Sequence, residues 1–457
     1  MVIFITLLFF CVFTFFQLLY IFIPLYTSKK QERIDPPSEK GMSVLIPSYN
    51  EALVIENCLN GALTVDYENV EFLFINDGST DRTMEILHSR LDLKVASKQP
   101  ADALQYEHVR KIYQSTSHPN VLVIDKENGG KADSLNAGTA YATKEIVITL
   151  DADSILDIHS LREMNKAFAD DSVIAAGGLV NIVQGFTHKG KHFAPSFNIS
   201  GLIKFQVIRY LTGFYMNKTT QSKLGSLTVI AGAFGAFQRR VLIQTKGYRK
   251  TVGEDMDITL RIQELVGTVL PGKRIVFVHE AICYTECPAS FKSLYKQRIR
   301  WQKAFIDCMI TYRKSFYRKL KFNVSTFLLI DSLLLGTLSA YSVLFIPLLL
   351  LFTQMQVTLM LFLFSISFSL ALTLNIFTLF VSRRLGHTYT SKDSLSIILF
   401  LPLEIVLYRI TEVLFVTLGT ILYFFNKDGW SRSERIGKPV KLNQSRQFEI
   451  KESHGGS

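Results

Sequence analysis

Apolar and polar positions change pattern along the chain. From Val2 to Tyr26 nearly every residue is apolar, enough for the roughly 20 residues a helix needs to cross a bilayer core. The run exceeds the core of a signal peptide, and no small-residue cleavage site follows it. Between residues 40 and 290 short Val- and Ile-rich runs alternate with helix-like stretches. The runs are Ser43–Ile46, Glu71–Ile75, Val121–Ile124, Ile146–Leu150 and Ile275–Val278. This predicts an α/β sheet of buried parallel strands with helices on both faces. The polar stretch 97–120 reads as a loop with some helix. From 288 to 322 Lys and Arg mix with Phe291, Tyr295, Trp301, Phe305, Tyr312, Phe316 and Tyr317. That mixture predicts amphipathic helices on a membrane surface. Apolar spans return at about 324–352 and 356–381, and a last apolar stretch covers about 395–425.

The pattern divides the chain into an apolar helix (1–27), an α/β domain (40–287), interface helices (288–322), a C-terminal membrane region (323–425) and a tail (426–457). Charge then orients it. Lys29, Lys30 and Arg33 follow the first span, which puts that side in the cytoplasm and the N-terminus outside. The tail carries Lys427, Arg432, Arg435, Lys438 and Lys441, and so also favours the cytoplasm. Four simple spans would leave it outside. Pro402, Glu404, Arg409 and Glu412 interrupt the last apolar stretch, so a broken helix or re-entrant hairpin is expected there. The net charge of +11 and the 48% hydrophobic content fit a multi-pass protein of the plasma membrane with a cytoplasmic domain. Nucleic acid is not an expected partner, because the basic residues cluster beside apolar spans. The five cysteines show no zinc-ligand pattern and read as free thiols.

In sheets of this kind ligands bind beyond the C-terminal ends of the strands. Asp151-Ala152-Asp153 stands at such an end. Two carboxylates there can hold Mg²⁺ or Mn²⁺, which favour oxygen ligands and share them with substrate phosphates. Asn76-Asp77-Gly78-Ser79-Thr80-Asp81 is either a turn and helix cap or a contact to a nucleotide through Asp77. In Pro47-Ser48-Tyr49-Asn50-Glu51, Tyr49 either stacks on a base or packs. The run Gly129 to Gly138 is not a P-loop, yet its backbone amides and Lys131 suit a phosphate at a helix N-terminus. Gly253-Glu254-Asp255 opens a helix. Its acids answer the helix dipole, or Asp255 is a general base. Gln297-Arg298-Ile299-Arg300-Trp301 sets two arginines and an aromatic beside the membrane, where arginines pin a diphosphate and a Trp stacks on a sugar. No GxSxG elbow and no Cys/His pair supports hydrolysis. Together these motifs suggest an enzyme that takes sugar from a nucleotide donor.

The ordered series resembles the membrane-bound family-2 glycosyltransferases, the group of cellulose, chitin, hyaluronan and poly-N-acetylglucosamine synthases. It covers nearly the whole chain. The resemblance implies a GT-A (Rossmann-like) cytoplasmic α/β domain inserted between transmembrane helices, a UDP-sugar donor and inversion at the anomeric carbon. It further implies a growing glycan acceptor passed through the membrane. By position, Tyr49, Glu51 and Asp77 would hold uridine and Lys131 the donor. Asp151 and Asp153 would hold diphosphate and metal, with Asp153 the more direct ligand. Asp255, beside Glu254, would be the base. Gln297, Arg298, Arg300 and Trp301 would hold the diphosphate and the acceptor end, and Gly232–Phe237 would lie beside the acceptor. The family's usual Thr before the Glu-Asp pair is Gly253 here, an exchange expected to be tolerated. The membrane region is small, so an accessory subunit or a homo-oligomer is a candidate partner. N-acetylglucosamine is the first expected sugar. The alternatives are transfer of one sugar to a membrane lipid and a non-catalytic scaffold.

Overall fold

The computed structural model describes residues 2–27, 38–189, 192–341 and 357–426. Lys29, Lys30, Arg33 and the basic tail from Lys427 lie outside them.

The α/β domain is built on a mixed sheet. Its strands are β1 (Met42–Ser48), β2 (Val70–Asp77), β3 (Leu93–Val95), β4 (Val109–Ser115), β5 (Val121–Lys126), β6 (Ile146–Leu150), β7 (Ser154–Leu156) and β8 (Val173–Ile182). A separate ribbon pairs β9 (Phe186–Lys189) with β10 (His192–Pro195), and β11 (Phe234–Gln238) and β12 (Arg274–Thr285) rejoin the main sheet. The order is β3-β4-β5-β2-β1-β6-β11-β8-β12-β7. β5, β2, β1 and β6 run parallel, while β11 is antiparallel to both β6 and β8. The sheet is therefore GT-A-like and mixed, not wholly parallel. The stretch 97–120 contributes β4 and no helix, which corrects the expected loop with helix. Ile112 supplies the reason, since it is buried within an extended segment paired with β5.

The central strands alternate in period two, as a sheet covered on both faces requires. Met42, Val44, Ile46, Phe72, Phe74, Val121 and Val123 fill one core. Leu45, Leu73, Ile75, Leu122 and Ile124 fill the other. Each such side chain contributes about 1.5–3 kcal/mol of burial. Phe16, Tyr20 and Ile21 of the first apolar helix join the second core, so this helix is seated on the α/β domain.

Among the described residues three helices are long and apolar enough to cross a membrane: Phe4–Thr27, Phe322–Tyr341 and Val357–Arg384. Tyr20 donates to Asp331 Oδ2 at 2.6 Å and ties the first to the second. The last stretch does not turn back. Ser391–Leu403, a π-helical segment Glu404–Tyr408 and Arg409–Phe425 follow one another with helical dihedrals at both joints. This corrects the expected hairpin. Pro402 removes one backbone donor and crowds the preceding turn, and the wider π turn just after it absorbs the defect without a break.

One helix, Phe291–Thr311, carries the Gln297–Trp301 string, with Ser290 capping it by accepting from Ser293 N. The Arg409–Phe425 helix lies beside it in the same direction. Phe291 and Tyr295 meet the Phe415 ring, Gln302 donates to Thr420 Oγ1 at 3.0 Å, and Tyr423 donates to Asp307 Oδ1 at 3.1 Å.

Candidate active site

The loops after β1 and β2 are locked together. Asn50 adopts a left-handed φ of 56°, and its Oδ1 accepts from the backbone amides of Thr80 and Asp81 at 2.7 and 3.1 Å. Glu51 N donates to Thr83 Oγ1, and Ala52 N to Asp81 Oδ2. Tyr49 is half-buried at this junction and Glu51 is buried.

Asp77 is 3% exposed and faces its own neighbours. Oδ1 accepts from Lys126 Nζ at 2.8 Å and Gly129 N at 3.0 Å; Oδ2 accepts from Gly130 N at 2.8 Å and Asn128 Nδ2 at 3.1 Å. Lys126, itself fully buried, also reaches Asp133 at 2.6 Å. The carboxylate thus clamps the glycine loop that begins the Lys131–Tyr141 helix. Gly130 sits at φ 93°, a value that favours glycine.

That clamp aims Lys131. Its ammonium lies 2.5 Å from Asp151 Oδ1 and 3.1 Å from Glu254 Oε1, and so bridges the end of β6 to the start of the Glu254–Thr268 helix. Burial works against its charge, but Asp151 and Glu254 more than offset that and raise its pKa. Asp153 is buried next to Asp151, and its Oδ1 accepts from Thr285 Oγ1 and Ser154 Oγ at 3.3 Å. Asp255 Oδ1 accepts from Met256 N at 2.8 Å, and its Oδ2 lies 3.4 Å from Gly232 N. Burial, and then Glu254, push the Asp255 pKa up, while Lys131 and Arg300 pull it back. A carboxylate held in this way is tuned toward accepting a proton.

The Phe291–Thr311 helix packs against the start of the Glu254–Thr268 helix. Arg300 acts electrostatically on Asp255. Arg298 acts on Tyr210, which also feels Asp153, and its guanidinium stacks 4.1 Å over the Trp301 ring. Gln297 Oε1 and Arg298 Nε and Nη2 are buried without a hydrogen-bond partner, while Trp301 remains 42% exposed. Buried polar atoms of this kind are ordinarily satisfied by water, an ion or a ligand. Gly253 allows the close approach: a Cβ there would lie 2.4 Å from Ala304 Cβ. The helix occupies the space where a larger residue would have its side chain.

Residues 43–245 match the model described as Glycosyl transferase family 2, and residues 146–425, more than half of the chain, match Glycosyl transferase family group 2. The chain is a family-2 glycosyltransferase. This glycosyltransferase is 28% identical to the poly-beta-1,6-N-acetyl-D-glucosamine synthase of Staphylococcus aureus (strain COL) over 279 residues, 60% of this chain and 57% of that protein. The same-named protein of Staphylococcus epidermidis is 28% identical over 265 residues, 57% of this chain and 54% of its own length. The match thus spans little more than half of these relatives. A mannosyltransferase from Pyrobaculum calidifontis, solved with GDP-Man and Mn²⁺, shares the fold at TM-score 0.52 and 16% identity. It covers 92% of this chain and 100% of that one.

In this glycosyltransferase the sequence motifs converge from four strand ends and two helices. Two further buried residues feel the charges of this group without any sequence signal. Tyr210 lies between the fields of Asp153 and Arg298, and Lys218 feels Asp255. Burial lowers the Lys218 pKa to about 8, and Asp255 partly offsets it. Both residues sit in the helical insertion Gly201–Lys223 that packs on the apolar helices. Among the described residues no group of three or more His, Cys, Asp or Glu comes together to hold a metal. Asp151 and Asp153 stand with one residue between them at the end of β6, with Asp151 ion-paired to Lys131.

Proposed function

We propose that this enzyme polymerises sugar from a UDP-sugar, with UDP-N-acetylglucosamine as the first expected donor, onto a growing β-linked glycan that leaves through the membrane. The observation that carries the reading is the Phe291–Thr311 helix. It brings the charge of Arg300 to bear on Asp255, and Arg298 to bear on Tyr210, which also feels Asp153, with Trp301 half-exposed under the Arg298 guanidinium. A single-step lipid transferase has less need of an aromatic platform at this place.

On this reading Tyr49 and Glu51 contact the nucleotide, while Asp77 acts through the glycine loop it clamps. Asp151 and Asp153 would hold Mg²⁺ or Mn²⁺, which offsets charge on the diphosphate. Lys131 and Arg298 take up diphosphate oxygens. Asp255 accepts the acceptor hydroxyl proton as that oxygen bonds to the anomeric carbon from the face opposite the diphosphate. The bond to the diphosphate oxygen breaks, its electron pair leaves with UDP, and the anomeric centre inverts. The catalytic domain is cytoplasmic, where UDP-sugars are supplied, and the apolar helices anchor it in the plasma membrane.

The test uses the full chain in lipid nanodiscs with Mn²⁺. Radiolabelled UDP-N-acetylglucosamine, UDP-glucose and UDP-glucuronate are supplied singly and in pairs, and the products are sized. A high-molecular-weight product is expected with UDP-N-acetylglucosamine alone. A lipid-sized product carrying one sugar would overturn the polymerase reading.

A further inference from the structure

A cleft of about 490 Å³ opens at the ends of the central strands opposite the catalytic carboxylates. Its lining comes from the residues that enter β1 and β6 and leave β11: Lys40, Lys144, Arg239 and Arg240 among them. β6 runs through the sheet from this cleft to the Asp151–Asp153 loop. Its five residues hold the two places roughly 16 Å apart. None of the lining residues belongs to one of the three apolar helices.

The charges are not cancelled within it. Four cations line the cleft against two acids, Glu145 and Asp171. Arg239 is paired with Asp102. Lys40 reaches Asp171 only at 3.9 Å, and that carboxylate is 93% exposed, where such a pair contributes little. The hydrogen bonds of the other two cations go to neutral side-chain oxygens: Lys144 Nζ to Asn69 Oδ1 at 2.7 Å and Arg240 Nε to Gln238 Oε1 at 2.9 Å. Lys144 is also seated. A Cβ at position 41 would lie 2.9 Å from Lys144 Cδ, so Gly41 makes room for its stem. The Lys144 amide donates to Ser43 Oγ, and Arg239 N donates to Glu145 O, which ties the two basic segments to each other.

We propose that this cleft is a second binding site, for a soluble phosphorylated metabolite of nucleotide size. The volume falls in the range of small-molecule sites, and lysine with arginine is the pairing that recognises phosphate. The position, at the opposite end of the strand that presents Asp151 and Asp153, suits a ligand that binds without reacting. The proposal stands apart from the identity of the donor sugar.

The test is hydrogen exchange on the full chain in neutral phosphatidylcholine nanodiscs, with inorganic pyrophosphate as the probe and no divalent cation. Protection is expected in segments 38–42, 143–146 and 238–241, separately from any protection at the catalytic loops. Lys144→Met with Arg240→Gln should raise the pyrophosphate concentration needed for that protection by about tenfold or more, the equivalent of one lost charge-assisted contact. The single Arg240→Gln change, at an exposed side chain, carries the test if the double variant exchanges throughout the sheet. Absence of protection in the three segments, or its persistence unchanged in the variants, would overturn the proposal. Protection produced by phosphatidylglycerol discs without pyrophosphate would also overturn it, because a lipid headgroup would then be the occupant.

Discussion

Asp77→Asn separates a positioning carboxylate from one that touches the nucleotide. The side chain keeps its shape but exchanges one acceptor oxygen for a donor. Either orientation fails. Placed at Oδ1, the new NH₂ meets Lys126 Nζ and Gly129 N; placed at Oδ2, it meets Gly130 N and Asn128 Nδ2. With the NH₂ at Oδ2 two hydrogen bonds are lost at about 1 kcal/mol each, and the charge-assisted bond to Lys126 weakens by about 1–2 kcal/mol. With it at Oδ1 the Lys126 bond is itself one of the two lost, at about 2–3 kcal/mol beside about 1 kcal/mol for Gly129. Lys126 retains Asp133, so the chain should still fold, about 3–4 kcal/mol less stable. The glycine loop should loosen and Lys131 should lose its aim at Asp151 and Glu254. Hydrogen exchange across 126–131 should accelerate, and calorimetric UDP affinity should fall in parallel. Loss of UDP affinity with unchanged loop exchange would refute the positioning argument and make Asp77 a direct ligand.

The remaining expectations concern the acceptor side and the brace behind it. Asp255→Asn should abolish transfer and leave UDP affinity nearly unchanged; retained turnover would remove Asp255 as the base. Because burial and Glu254 raise the Asp255 pKa, the base is protonated and idle below that value. The wild-type rate should therefore rise with pH through a limb lying above the ordinary carboxylate range, and a rate–pH profile with its acid limb at the ordinary carboxylate position would contradict this. Trp301→Ala should shorten the product far more than it slows donor hydrolysis, as read by product sizing beside UDP release; an equal loss of both would assign the ring to folding or to the donor site. Arg209 holds both oxygens of Glu412 at 2.6 Å, so Arg209→Met should lower stability by about 2–3 kcal/mol in a thermal melt, and an unchanged melt would show that the pair is solvated.

Contiguous features were legible in the sequence. The strand ends before Asp151 and Asp77 follow from Val- and Ile-rich runs, and the glycines before Lys131 announce a turn into a helix. Features that depend on partners far along the chain were not. Nothing near Asp77 names Lys126 as its counter-ion, 49 residues away. Tyr210 and Lys218 lie in an insertion without a motif, and the charges that act on them come from distant parts of the chain. β4 was hidden because a strand buried at few positions, such as Ile112, looks like a polar loop. Gly253 was expected to be tolerated in place of Thr because the carboxylates remain, and nothing in the sequence signals that Ala304 packs where a Cβ at 253 would stand. Pro402 read as a break because proline removes a donor, and the response of the flanking turns is set by packing.

The parallel pair of helices Phe291–Thr311 and Arg409–Phe425 imposes an order in time. Gln302, Lys303 and Asp307 find their partners at Thr420, Asn426 and Tyr423, more than a hundred residues later. A chain emerging from the ribosome folds its α/β domain first. It then waits, with Arg298 and Arg300 unbraced, until the last apolar helix has been made and placed. The helix that carries Arg298 and Arg300 therefore gains this brace only once the last helix has been made, so removing that helix unties Gln302, Lys303 and Asp307 together.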